Sequence, residues 1–125
     1  MKLLLSLALM ALTTSAYCHF KPNTKGYLVK YHAGEAWNPK APYKKQKDIG
    51  AHIIYLKKVY HKGHINWGAS DNKERFSILL LEGKSEKDVR SLLDADPAVK
   101  SKLVKYSLSD VTVTMRKKGG HNHQH

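Results

Sequence analysis

The sequence predicts one small α+β domain, and three observations carry that reading. Two stretches of the 125 residues repeat apolar side chains at three- and four-residue steps, the period of a helix with one buried side. Four others are rich in β-branched and aromatic residues and are bounded by Gly, Pro, Asn and Ser, the composition of strands. The two kinds follow one another as strand, helix, strand, strand, helix, strand. That order folds as an antiparallel sheet with two helices on one face.

Residues 27–32 (Tyr-Leu-Val-Lys-Tyr-His) read as the first strand and residues 34–42, with two prolines and a glycine, as a loop. Across residues 43–62, Ile49, His52, Ile53, Leu56, Val59 and Tyr60 share one stripe, and Lys57, Lys58 and Lys62 fall largely off it. One long helix is expected there. Gly50 inside it costs about 1 kcal/mol relative to alanine, so close packing is expected at that point, and Gly63 stops the helix. Residues 64–67 are a short strand, 68–73 a turn and 76–81 a strong strand. Ser85 caps the second helix, with Asp88 three residues later in a capping-box-like arrangement; Val89, Leu92 and Leu93 form its stripe. Asp96-Pro97 restarts a short helical piece to about Leu103. Residues 104–115 are the last strand. Its alternation runs Val104, Tyr106, Leu108 and then Val111, Val113, Met115, a phase shift that predicts a β-bulge at Ser109-Asp110. The whole is a ferredoxin-like, split-βαβ arrangement.

The third strand carries a further expectation. If Phe76, Ile78 and Leu80 face the helices, Ser77, Leu79 and Leu81 point to the opposite face, and an apolar run without alternation implies burial on both. Nothing else in so short a chain is left to cover the second face. A homodimer joined through Leu79 and Leu81, sheet against sheet, supplies the cover.

The ends of the chain speak to compartment. Lys2 precedes an apolar run over residues 3–12, and residues 13–18 are small and polar, the three zones of a secretory signal peptide. The run is too short for a membrane anchor, which needs roughly 20 apolar residues. Small residues permit cleavage after Ala16 or after Cys18. The resulting organisation is a signal at 1–18, a domain at 19–118 and a flexible His-rich tail at 119–125, with a secreted or periplasmic location. Cys18 is the only cysteine, so the domain is held without an internal disulfide. The formal charge of +12 comes from scattered lysines. Outside the cytoplasm that field suits an anionic surface rather than nucleic acid, but a solvated basic exterior is the simpler account of it.

Two stretches then resemble the YCII-related family of the dimeric α+β barrel group. One is His52-Ile53-Ile54-Tyr55-Leu56 followed by Gly63-His64-Ile65 and Gly68; the other runs from Ser85 to Asp88 and on to Asp94-Ala95-Asp96-Pro97. The likeness spans residues 26–118. It implies a ferredoxin-like fold, dimers, and a His-Asp pair as active site, with some relatives acting on aromatic rings, including removal of chloride from chlorinated hydroquinones.

His52 and Asp96 are accordingly the candidate catalytic residues. A histidine changes charge near neutral pH, and a carboxylate partner fixes its tautomer, so the two together form a general acid/base unit. The competing explanation is a core histidine bonded to an aspartate that caps the helix at Pro97. Asp94 has the simpler role of a solvated helix-end residue, and Tyr31, His32 and Trp67 are candidates to line a pocket. His121, His123 and His125 alternate in the tail and, with His19 near the mature N-terminus, are candidate ligands for Cu(II) or Ni(II). His61 and His64 straddle Gly63 and need not converge. No phosphate loop, nucleophile elbow, zinc cysteine motif or dinucleotide fingerprint occurs, so no cofactor is expected. Three classes remain: a small acid/base enzyme acting on an aromatic or enol-type molecule, an exported small-ligand binding module, and a metal-handling protein working through its histidine-rich ends.

Overall fold

The computed structural model describes residues 23–117. Its elements are β1 (Thr24–Ala33), α1 (Ile49–His61), β2 (Trp67–Ser70), β3 (Ser77–Glu82), α2 (Glu86–Asp94), α3 (Pro97–Lys100) and β4 (Val104–Val113), with a single 3-10 turn at Tyr43–Lys45. The strands hydrogen-bond in the order β2-β3-β1-β4, every neighbouring pair antiparallel. Two strands that are next in sequence, β1 and β2, are thus separated by β3, the split-βαβ topology of a ferredoxin-like α+β domain.

The apolar rows of strands and helices meet on one side of the sheet. Val29 and Tyr31 of β1, Leu79 and Leu81 of β3 and Val104 of β4 pack against Ile49 and Val59 of α1 and Val89 and Leu93 of α2. Each of these side chains is buried, Val29 and Val89 completely. Burial of one such aliphatic side chain contributes about 1.5–3 kcal/mol. Cross-strand pairing fixes which row is which: Val29 stands opposite Leu79, and Leu28 opposite Leu80. Leu79 and Leu81 therefore face the helices, and Ile78 and Leu80 face away. This reverses the assignment expected from the sequence, and the physical reason lies in β1. The inner part of its odd row (Tyr27, Val29, Tyr31) is uncharged, with Lys25 exposed at the strand's start, whereas its even row carries Lys30 in mid-strand, and the ladder forces β3 to follow.

Three further expectations are corrected. The helix does not begin at Tyr43. Gln46 is extended and Asp48 adopts a left-handed conformation (φ 65°), so α1 starts at Ile49. Gly50 then lies in its first turn, where an added Cβ would meet nothing within 4 Å, and no close packing occurs there. The second strand starts at Trp67 rather than His64, because Ile65 drops into the core beneath the end of α1 instead of joining the sheet; residues 68–70, expected as turn, are strand. Gly63 does end α1, with φ 80°. Finally, β1 and β4 pair without interruption from Thr24↔Val113 to Ala33↔Val104, so no bulge exists at Ser109-Asp110. The phase shift is a change of face: Val104, Tyr106 and Leu108 point to the helices, and Val111 and Val113 to the other side.

That other side carries Leu28, Lys30, Ile78, Leu80, Trp67 and Val111 on paired positions. None of these belongs to the helix-packed core cluster.

Candidate functional site

His52 stands on the inward stripe of α1, in step with Ile49 and Leu56. α3 packs against α1. Its N-cap is Asp96, followed by Pro97, whose fixed φ favours a first helical position. One carboxylate oxygen, Oδ1, accepts the Ala98 N–H at 2.9 Å. The other, Oδ2, takes the Nδ1 hydrogen bond of His52 at 2.7 Å and lies 3.5 Å from the Tyr31 hydroxyl, which donates to it. Asp96 is 0% and His52 3% exposed.

The arrangement dictates the histidine's tautomer. A carboxylate only accepts, so neutral His52 carries its proton on Nδ1 and keeps a lone pair on Nε2. Among the described residues Nε2 has no hydrogen-bond partner, and no buried side-chain nitrogen or oxygen is left unpartnered. Nε2 is therefore not sealed in the interior, and His52 forms one wall of the adjoining cavity.

This cavity holds about 90 Å³ and opens at the end of the sheet where β1 leaves and β3 and β4 enter. Tyr31, Trp37, Tyr43 and Phe76 give it aromatic walls; Glu74 and Arg75 bring charge to it. Tyr31 stacks edge-on to the His52 ring, with centroids 5.1 Å apart. Burial, then the neighbouring Asp96 charge, push the Tyr31 phenol well above its ordinary range and keep it a neutral donor. Burial and next Glu74 raise Tyr43, and burial and next Asp96 raise Tyr55. The Tyr55 hydroxyl donates to the Leu92 carbonyl at 2.7 Å and ties α1 to α2. Arg75 donates to Asp71 at 2.7 Å, which holds Asp71 below the usual carboxylate value and raises Arg75.

Trp37 reaches the cavity from the loop after β1. That loop begins at Gly34, where any Cβ would overlap the Lys102 carbonyl, and its N–H bonds the Leu103 carbonyl at 2.8 Å. Buried Gln46 holds the loop's far side: its amide donates to the Asn38 and Ala41 carbonyls at 2.7 and 2.8 Å and accepts the Asn38 N–H at 2.9 Å.

The structure thus joins His52 to Asp96 and adds Tyr31 and His32 to the cavity wall. Asp94 is exposed and accepts the Tyr106 hydroxyl at 2.7 Å. Trp67 lies elsewhere, beside Leu56 and Tyr60 at the edge of the sheet. His64 bonds Lys84 at 2.8 Å and His61 packs on Tyr60, so the two do not converge. His19, His121, His123 and His125 lie outside the described residues, as does the 1–18 segment. Among the described residues no three His, Cys, Asp or Glu side chains group as a metal site. Sequence reasoning missed Trp37, Gln46 and Arg75. A tryptophan inside a proline-rich loop was the one available signal; Gln46 and Arg75 left none.

No family model matches the chain, and no curated protein does. Among solved structures it is similar to 5-chloro-2-hydroxyhydroquinone dehydrochlorinase from Burkholderia phenoliruptrix in complex with 2,5-dihydroxybenzoquinone. Identity is 22%, the match covers 78% of this chain and 99% of that one, and the TM-score is 0.44. At that distance the fold stands on this chain's own strand order, and the site on its own residues.

Proposed function

We propose that the chain is an exported, YCII-related acid/base enzyme in which His52 Nε2 moves a proton to or from an aromatic or enol-type small molecule. The observation that carries the reading is the 2.7 Å bond from His52 Nδ1 to a fully buried carboxylate, with the His52 ring itself a wall of an aromatic-lined cavity. The bond sets the free lone pair, and the carboxylate stabilises the imidazolium formed when Nε2 takes a proton. A cavity this small suits one ring rather than a drug-sized ligand. The test uses 5-chloro-2-hydroxyhydroquinone as probe, with release of chloride as readout. His52→Ala is expected to lower turnover roughly 10²–10⁴-fold while circular dichroism stays that of the wild type. Turnover that survives the substitution overturns the reading, and a wild-type chain that binds the probe without converting it is a binding module.

The open sheet face supports a homodimer. Leu28, Ile78 and Val111 are half-buried there, beside the already buried Leu80 and with Lys30 on the same face, and sheet packing against a second copy would cover them. Ile78→Asp is expected to yield monomer in sedimentation, because a carboxylate buried at the interface without a partner is costly. A wild-type monomer at high concentration would exclude the dimer.

A further inference from the structure

The outer side of α1 has no part in the core or the cavity. Ile54, near the middle of the helix, is 70% exposed. Three, four and seven residues on, Lys57, Lys58 and His61 share its side, as do Gly50 and Ala51 in the preceding turn. All five are exposed, and the two small residues leave the approach to Ile54 open. Tyr60, 49% exposed, flanks Lys57 toward the groove beside β2. The charge in this part of the chain is nearly all of one sign. Between residues 36 and 70 the basic side chains are Lys40, Lys44, Lys45, Lys47, Lys57, Lys58 and Lys62, and the only carboxylate is Asp48. Among the described residues no salt bridge engages any of these lysines.

We propose that this face of α1 docks on an anionic lipid surface, lysines at the headgroups and Ile54 in the headgroup layer. Basic residues beside a negatively charged bilayer are attracted over about a Debye length. A hydrated acidic polymer would attract the lysines equally but gains nothing from Ile54 or Tyr60. A headgroup layer gains from both, since tyrosine and lysine with an aliphatic side chain are the mixture found at bilayer interfaces. The face lies opposite the open side of the sheet, so a dimer joined through that side leaves it free. No helix of the described residues is long and apolar enough to cross a membrane.

The experiment is co-sedimentation of the exported chain with vesicles of phosphatidylcholine alone and of phosphatidylcholine with phosphatidylglycerol. Wild type is expected to bind only the anionic vesicles, and less as salt rises. The double change Lys57→Glu with Lys58→Glu is expected to weaken partition about tenfold or more, and Ile54→Ser a fewfold at unchanged charge. Thermal melts confirm that each variant is folded; all three positions are exposed. Binding to neither vesicle, equal binding to both, or Ile54→Ser without effect overturns the proposal. Retention on heparin without vesicle binding also overturns it and assigns the lysines to an acidic polymer.

Discussion

Ser85 and Asp96 cap successive helices, and little else about them is alike. Ser85 is exposed and accepts one bond, the Asp88 N–H at 3.2 Å. Asp96 is fully buried; one oxygen accepts the Ala98 N–H, and the other serves His52 and Tyr31. Capping requires only one acceptor oxygen, and a serine supplies it. Burying a carboxylate is unfavourable unless several donors compensate. Both the charge and the second oxygen of Asp96 therefore exceed what α3 needs from its first turn. What they do supply is a histidine held in one tautomer beside a cavity. Cap and histidine partner coincide in the sequence, but in the structure each falls to a different oxygen of one carboxylate, Oδ1 for the Ala98 N–H and Oδ2 for His52.

The largest effect that would break this contrast is on Asp96 itself. Asp96→Ala leaves the His52 Nδ1–H, the Ala98 N–H and the Tyr31 hydroxyl without their acceptor, and losing one partner of a buried pair costs roughly 3–5 kcal/mol. Chemical denaturation should show that loss. Asp96→Asn divides the two roles: its oxygen can still cap α3, but its amide donates where Oδ2 accepted, and His52 must then place its proton on Nε2. The Asn variant is expected to keep most of the stability that Ala loses, yet, under the proposed acid/base role, to lower turnover of the probe by about two orders of magnitude or more. If Asn and Ala lose equal stability and neither changes turnover, Asp96 is a cap and nothing more.

Much of this contrast was legible in the sequence, because both caps are local. Asp before Pro at the start of a short helical run and Ser three residues ahead of Asp88 are patterns a few residues long, and His52 declared its inward position by sharing a stripe with Ile49 and Leu56. What failed were the readings that depend on distant partners. Ile78 to Leu81 are apolar on both faces, so only pairing with Val29 of β1 decides that Leu79 points to the helices. Val111 and Val113 were out of phase for a reason that β4 alone cannot express, since both faces of that strand carry apolar residues. The helix expected from Tyr43 was divided because Gln46 bonds the loop at Asn38 and Ala41, a contact no periodicity records. The cavity's Trp37 and Arg75 arrive on loops, whose placement follows from such contacts.

A smaller effect sharpens the role of the second oxygen. Tyr31 holds its proton in the folded chain beyond the ordinary tyrosine value because of burial first and Asp96 next. In the unfolded chain it ionises near pH 10. Above that point the unfolded state binds fewer protons than the folded one, so stability falls as pH rises; the Tyr31 contribution is complete below pH ~10 and is lost above it. Denaturation midpoints across that alkaline window should decline less steeply in Tyr31→Phe than in wild type. Asp96→Asn removes the second cause and leaves the first, so phenolate absorbance should place Tyr31 ionisation lower than in wild type but still above the ordinary value. Identical alkaline slopes for wild type and Tyr31→Phe would mean that the hydroxyl is not held as the structure has it.

The smallest effect belongs to Ser85, and it is the control on the whole comparison. Ser85→Ala removes one exposed acceptor from the Asp88 N–H, which water can replace, so the loss is about 1 kcal/mol. Glu86 and Asp88 remain in the first turn of α2, where their charge favours the helix dipole and softens the change. The substitution lies at the far end of α2 from the Leu93 end that leads into α3, and its side chain has no bond to His52, Asp96 or the cavity. Under the proposed function, turnover of the probe should therefore match wild type, as should the alkaline slope, while the denaturation midpoint drops slightly. That combination, stability down and chemistry untouched, is what pure capping looks like in this molecule. If Ser85→Ala instead lowers turnover in proportion to stability, the losses seen at Asp96 would reflect a loosened helix layer rather than a displaced proton, and the special role of its second oxygen would have to be given up.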